Sequence, residues 1–203
     1  MSKAPDNKVD AAQQRALIAL VHSAADGDMP AFEELVRRYQ RRANAVAYRL
    51  LSHREDAMEV VQDAFLKAYD HLDTLSKPER FGSWLLRIVS NRALNRRRRR
   101  AIRKAASLDA GIVDEDGERG EWTLPDTQSP TPLEEASGHD LRDMLRDAID
   151  ELPDMQRQAL VLFSIEKMPQ KQVAEILECS VEAVKWHVFT ARKKLRQKLG
   201  DFL

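Results

Sequence analysis

The chain is short of the residues that staple, turn or anchor a protein. It has one cysteine in 203 residues, Cys179, which excludes an internal disulfide framework and any zinc site built on paired thiolates. Seven glycines and eight prolines are too few for the many tight turns of a strand-rich fold. No run of 18 apolar residues occurs and Met1 to Asp10 is polar, so neither a membrane span nor a secretory segment is expected. A cytoplasmic protein without membrane insertion is therefore expected. The five histidines (His22, His53, His71, His139, His187) are scattered, with no HExxH spacing and no paired carboxylates suited to a metal. Walker, Rossmann and GxSxG signatures are absent. The sequence thus presents no catalytic machinery, no metal ligands and no cofactor fingerprint.

What is present is charge, helix-forming periodicity and enough apolar residues, 43%, for compact cores. The net charge is zero, with 33 Lys and Arg against 33 Asp and Glu, but the charge is segregated. Residues 1–101 carry 19 cations against 13 acids, residues 102–139 carry 3 against 9, and residues 140–203 carry 11 against 11. That order suggests two modules that meet polyanions, joined by a segment that repels them.

The predicted fold class is all-α, with an N-terminal helical bundle at 1–101, a flexible acidic linker at 102–139 and a helix-turn-helix domain at 140–203. Asp28 is placed to cap a helix opened by Pro30, with apolar residues at Phe32, Leu35, Val36, Tyr39, Ala43, Val46 and Leu50. After a break at Ser52-His53, a second stripe runs through Ala57, Val61, Phe65, Ala68 and Leu72, and a third through Phe81, Trp84, Leu85 and Ile88. A shorter helix around Asp10 to Ala25 completes the bundle. The stretch from Gly111 to Gly138 gathers Gly, Pro and acids without an apolar period and reads as a linker. Beyond it, helices are expected at Asp140 to Glu151, from Pro153 to about Glu166, at Gln170 to Leu177 and at Val181 to Leu199, with Glu178-Cys179-Ser180 as a tight connection.

Two segments carry chemistry suited to nucleic acid. In Phe81 to Arg100 (FGSWLLRIVSNRALNRRRRR), Asn91 and Asn95 share one helical face and five successive arginines surround the axis. Amides can meet base edges while Arg96 to Arg100 meet phosphates, and Phe81 and Trp84 offer stacking surfaces. A solvated helix end and a core tryptophan are the plainer alternatives. In Val181 to Leu199, the face opposite Val184, Val188, Ala191 and Leu195 holds Glu182, Trp186, Phe189, Thr190, Lys193 and Gln197. Six cations stand against one acid between Ser180 and Lys198, which suits a helix in a major groove, or a wet terminal helix favoured by its dipole. Outward-pointing Trp186 and Phe189 suit thymine methyls or a partner protein. A charged stripe at Asp56, Glu59, Asp63, Lys67 and Asp70 reads first as a wet face.

Together these segments resemble a bacterial extracytoplasmic-function (ECF) RNA polymerase sigma factor of the sigma-70 family. The resemblance rests on DGDMPAFEELVRRY, EDAMEVVQDAFLKAYDHLDTL, the arginine-rich segment above, and LPDMQRQALVLFSIEKMPQKQVAEILECSVEAVKWHVFTARKKLRQKL, in that order. It implies a factor with no reaction of its own that binds core RNA polymerase, recognises the −10 and −35 promoter elements and promotes DNA opening. Implied contacts with the β′ clamp are Asp56, Glu59, Gln62, Asp63 and Phe65. Those with the melted −10 element are Phe81, Trp84, Asn91, Arg92, Asn95, Arg96, Arg97, Arg98, Arg99 and Arg100. Those with the double-stranded −35 element are Ser180, Lys185, Trp186, His187, Thr190, Arg192 and Lys193, while Leu160, Leu162 and Phe163 would receive the β flap. An anti-sigma factor is implied as a further partner. Where the family commonly has a small residue followed by arginine, this chain has Trp186 and His187. The competing reading is a helix-turn-helix regulator that binds an operator without acting as a polymerase subunit, which would leave Phe81 to Arg100 without a role.

Overall fold

The structure is a computed structural model that describes residues 6–109 and 143–200. Every regular element among them is helical. The N-terminal half contains α1 (Asp6–Ala25), α2 (Met29–Leu51), α3 (Arg54–Asp70) and α4 (Phe81–Asp109). Each boundary has a local cause. Gly27 takes a φ of 92° between α1 and α2, a conformation that costs glycine little. Asp28 then caps α2, its Oδ1 accepting from the Ala31 amide at 3.4 Å. Ser52 ends α2 in the left-handed region, and His53 caps α3 by accepting from the Asp56 amide at 3.2 Å through Nδ1.

The apolar stripes meet in one core. Leu35, Ala43, Val46, Ala64, Ala68, Phe81, Leu85 and Val89 are wholly buried, and each large aliphatic side chain taken from water contributes about 1.5–3 kcal/mol. Small residues where α2 and α3 pack, Ala43, Ala47, Ala57 and Ala64, let the backbones approach closely. Gly82 serves the same end at the start of α4, since a Cβ there would lie 2.8 Å from the Tyr39 ring. The structure differs from the sequence expectation at two ends. Helix α1 starts at Asp6 rather than near Asp10, and α4 runs to Asp109, past the expected domain end at residue 101. No Gly or Pro interrupts Arg96 to Asp109, so nothing in the backbone ends the helix sooner. The acidic segment Asp114 to Glu121 lies outside the described residues.

The C-terminal half comprises α5 (residues 143–150), α6 (Asp154–Leu160), α7 (Gln170–Leu177) and α8 (Val181–Leu199). Helix α6 continues into one wide turn over Val161–Ile165, closed by the Glu166 amide donating to the Val161 carbonyl at 2.9 Å. Arg157 is 1% exposed, and its Nε and Nη2 donate at 2.9 Å to the carbonyls of Ile149 and Leu152. It thereby adds side-chain donors to the turn that leaves α5, where the Ile149 carbonyl also accepts from the Leu152 amide at 3.1 Å. Glu178, with a φ of 54°, makes the turn after α7, and Ser180 caps α8 by accepting from the Ala183 amide at 3.0 Å. The α7-turn-α8 unit has the boundaries expected from the sequence. Cys179 sits in that turn, where burial raises its thiol pKa and keeps it neutral.

The two halves pack together rather than standing apart. Val161, Leu162, Val173 and Val188 share one apolar cluster with Leu35, Val46 and Leu86 of the first half. The Gln158 amide donates to the Ser90 carbonyl at 3.2 Å inside that contact. Ion pairs rim it: Arg42 and Arg49 converge on Glu166, Arg80 meets Glu175 at 2.5 Å, Arg87 meets Glu178, and Arg97 and Arg98 reach Asp154 at 3.8 and 3.3 Å.

Candidate nucleic-acid interface

At 100° per residue, one outward line of α4 contains Trp84, Asn91, Asn95, Arg98 and Ile102. Asn91, Asn95, Arg98 and Ile102 are exposed and Trp84 is half-buried, so a row about 27 Å long offers an indole edge, two amides and a cation. Trp84 is held by packing against Phe81, with ring centroids 6.0 Å apart. Phe81 itself is 0% exposed and stacks edge-on against Tyr39 at 5.1 Å. The expectation that Phe81 presents a stacking face is therefore corrected: it fixes Trp84 from beneath. Its place at the first turn of α4 against α2 decides this, which the spacing of aromatics along the chain does not reveal.

The arginines of α4 divide in a way the sequence hides. Arg92 donates to Asp63 at 2.7 Å. Arg96 grips Asp56 through Nε and Nη2 at 2.9 and 2.6 Å and Glu59 through Nη1 and Nη2 at 3.0 and 2.7 Å. Hydrogen bonding to Asp56 is the largest influence on Arg96 and raises its pKa above the ordinary arginine value. Arg100 lies 3.8 Å from Asp56. Arg97 donates to the Asp150 carbonyl at 2.5 Å and its carboxylate at 3.3 Å. Arg98 and Arg99 are the exposed members of the run.

These pairs join two groups that the sequence assigned to different partners. The acids Asp56, Glu59 and Asp63 of α3 are the same carboxylates that hold Arg92 and Arg96 of α4. Asp56 is 9% exposed, so it braces α3 against α4 instead of standing on the wet face. Phe65 is 7% exposed and belongs to the core stripe, a second correction. Glu59 and Gln62 are exposed and Asp63 is half-buried. The outward arc of α3 also contains Glu55, Met58, Leu66 and Tyr69, and Met58 and Leu66 are more than half exposed. Sequence reasoning missed them, although positions 55, 58, 59, 62, 66 and 69 fall within about a third of the helix circumference. Beside Met58 a surface cavity of about 200 Å3 opens between α2 and α3, lined by Asn44, Tyr48, Arg54 and Ala57.

On α8 the buried face is Val184, Val188, Ala191 and Leu199. Lys185, Trp186, Phe189, Arg192 and Lys193 are exposed, Thr190 is half-buried, and exposed Ser180 spends its hydroxyl on the helix cap. Arg192 donates to the Ser164 hydroxyl at 3.1 Å. His187 lies to one side of the outward arc. Its Nδ1 is buried without a hydrogen-bond partner among the described residues, and desolvation lowers its pKa. Its ring meets Trp186 edge-on at 5.0 Å. Of the residues expected at the β flap, Leu160 and Leu162 are buried in the core, and Phe163 alone is partly accessible. No helix among the described residues is long and apolar enough to cross a membrane.

Comparison with known proteins follows the same division of the chain. Residues 35–103 match the family model for sigma-70 region 2, and residues 142–195 match that for sigma-70 region 4. The ECF RNA polymerase sigma-E factor of Haemophilus influenzae is 31% identical over 91% of this chain and 96% of its own length. The RNA polymerase sigma-H factor of Pseudomonas aeruginosa is 32% identical over 91% of this chain and 94% of its own. Among solved structures, CnrH in complex with the cytosolic domain of CnrY aligns with a TM-score of 0.65 at 26% identity, covering 93% of this chain and 99% of CnrH. The sigma factor RpoE in complex with the anti-sigma factor NepR from Bartonella quintana shares the fold at 22% identity, with a TM-score of 0.64 over 85% of this chain and 98% of the other. With both sigma-70 regions matched in order and relatives aligned over nearly their whole length, the chain belongs to the ECF sigma factors of transcription initiation.

Proposed function

We propose that the chain docks on core RNA polymerase through the outward arc of α3, holds the melted −10 element along α4, and reads the −35 element with α8. The observation that carries this reading is the row of half-buried Trp84 and exposed Asn91, Asn95 and Arg98 along α4. An unstacked base needs an aromatic surface with amide donors beside it, and a cation further along suits the phosphates. On α3, Glu59 and Gln62 with Met58 and Leu66 make a mixed acidic and apolar docking face, and the neighbouring cavity accepts an apolar side chain of the polymerase. On α8, Lys185 and Lys193 meet phosphates or guanine edges. The domain limits proposed are 1–101 and 140–203 joined by 102–139, with α4 continuing into the joining segment. The factor works in the cytoplasm and performs no reaction itself. The complexes of CnrH with CnrY and of RpoE with NepR support an anti-sigma factor as a further partner of this chain.

The test is transcription from purified components. With core polymerase, the chain should direct initiation from a fixed start site on a matching promoter, with permanganate-reactive thymines at −10. Asn91→Ala should keep core affinity and lose thymine reactivity. Sequence-specific binding of the chain to duplex DNA without polymerase, with no effect on initiation, would favour the operator-binding regulator instead.

A further inference from the structure

Trp186 and Phe189 are 58% and 68% exposed, although the apolar face of their own helix is already complete with Val184, Val188, Ala191 and Leu199. Three residues apart, they are neighbours about 5–6 Å apart on the helix surface. An exposed apolar pair rimmed by polar residues marks a contact surface, and the rim states what is contacted. Exposed Lys185, Lys193 and Arg196 surround the pair, with Glu182 as the one acid in α8. No ion pair occupies Lys185, Lys193 or Arg196 among the described residues. That surround fits a polyanion. The geometry agrees, because the turn at Glu178 and the cap at Ser180 set α8 behind a short first helix, the arrangement that carries the N-terminal part of a second helix into a major groove.

The outward arc from Glu182 to Lys193 contains no Asn or Gln, the residues that read adenine with two hydrogen bonds, and Arg192 at its edge is turned to the Ser164 hydroxyl at 3.1 Å, which leaves Lys185 and Lys193 as its cations. Its two largest members are aromatic. The apolar group that a major groove displays is the C5-methyl of thymine, and a 5–6 Å spacing spans one to two base steps of about 3.4 Å. We infer that α8 recognises its duplex by thymine methyl groups, with Trp186 and Phe189 each covering a methyl while Lys185 and Lys193 fix the helix on the backbone. This inference rests on the reading of α8 as the −35 reader.

The test uses the full chain with core polymerase and duplexes enriched from a pool randomised at −35. Each thymine of the enriched site is replaced by deoxyuridine, which removes the methyl and leaves the pairing intact. Removal of a covered methyl should weaken binding about fourfold, at one or two thymines only. In Trp186→Ala and Phe189→Ala that sensitivity should vanish at the matching thymine, with the salt dependence unchanged, and Phe189→Leu should restore part of it. Wild-type binding indifferent to every deoxyuridine would overturn the inference, as would variants that keep full sensitivity. Loss of anti-sigma binding in the variants, with methyl sensitivity retained, would overturn it in favour of a protein contact. Failure of the holoenzyme to enrich any −35 sequence would instead remove the underlying reading.

Discussion

Two runs of cations look alike in the sequence and differ in the fold. On α4, Arg92, Arg96, Arg97, Arg98 and Arg100 each lie against a carboxylate of α3 or of the C-terminal half. On α8, Lys198 meets Glu151 at the helix end, but Lys185, Lys193, Lys194 and Arg196 are exposed and stand outside any ion pair among the described residues. The first run is partly structural: Arg96 fastens α4 to α3 through Asp56 and Glu59, and Arg97 and Arg98 fasten the two halves through Asp150 and Asp154. Nucleic acid reaching Arg97 and Arg98 has to displace carboxylates that already satisfy them, whereas the second run gives up only water and counterions. A basic patch therefore measures affinity for polyanions only after its internal acids have been subtracted.

The contrast is broken most directly by truncation. Asp56→Ala leaves the partly buried Arg96 without its main partner and should lower the unfolding free energy by about 2–3 kcal/mol, read from urea denaturation. Lys193→Ala on α8 should change it by less than about 0.5 kcal/mol. Equal losses would erase the distinction between the two runs.

Freeing the α4 cations should act in the opposite sense on binding. The double change Asp150→Asn and Asp154→Asn removes the negative charges facing Arg97 and Arg98, leaving Arg97 its bond to the Asp150 carbonyl, so affinity for single-stranded DNA should rise. The slope of log affinity against log salt should steepen by about 0.7 for each phosphate newly contacted. Fluorescence anisotropy over a salt series reads both quantities, and an unchanged slope would mean that the carboxylates do not compete with phosphates.

For α8 the matching experiment removes a free cation. Lys185→Ala should weaken duplex binding by the holoenzyme and reduce the salt slope by about 0.9 if the lysine meets a phosphate. The smallest effect concerns His187, whose desolvated ring has its pKa lowered in the folded state. The unfolded chain then binds the proton more readily, so stability is full above the ordinary histidine pKa and is lost as pH falls through the folded value. Thermal melts between pH 7.5 and 5 should show a shallower acid loss in His187→Gln than in the wild type.

Much of the architecture was legible because helix periodicity and capping are local. Asp28, the Ser52-His53 break, and the limits of α7 and α8 needed only neighbours in the chain. The outward positions of Asn91, Asn95, Trp186 and Phe189 followed from the same 3.6-residue repeat. Phe65 and Phe81 already lay on the apolar stripes of their own helices, and the outward roles that the resemblance implied for them gave way to that pattern; Asp56 was misplaced because a single helix's pattern does not say which flank a second helix will cover. Met58 and Leu66 were missed in the converse way, as apolar residues left uncovered by the packing.

The sequence by itself determined the helices, their caps, the separation of basic and acidic segments and the kinship that these motifs carry, since all of these depend on residue order and short-range sterics. Tertiary structure alone decided which arginines are free, because an ion pair between Arg96 and Asp56 or between Arg42 and Glu166 joins positions 40 and 124 residues apart. Charge acts through space, and only the packing of α3 against α4 and of one half against the other sets the distances over which it acts.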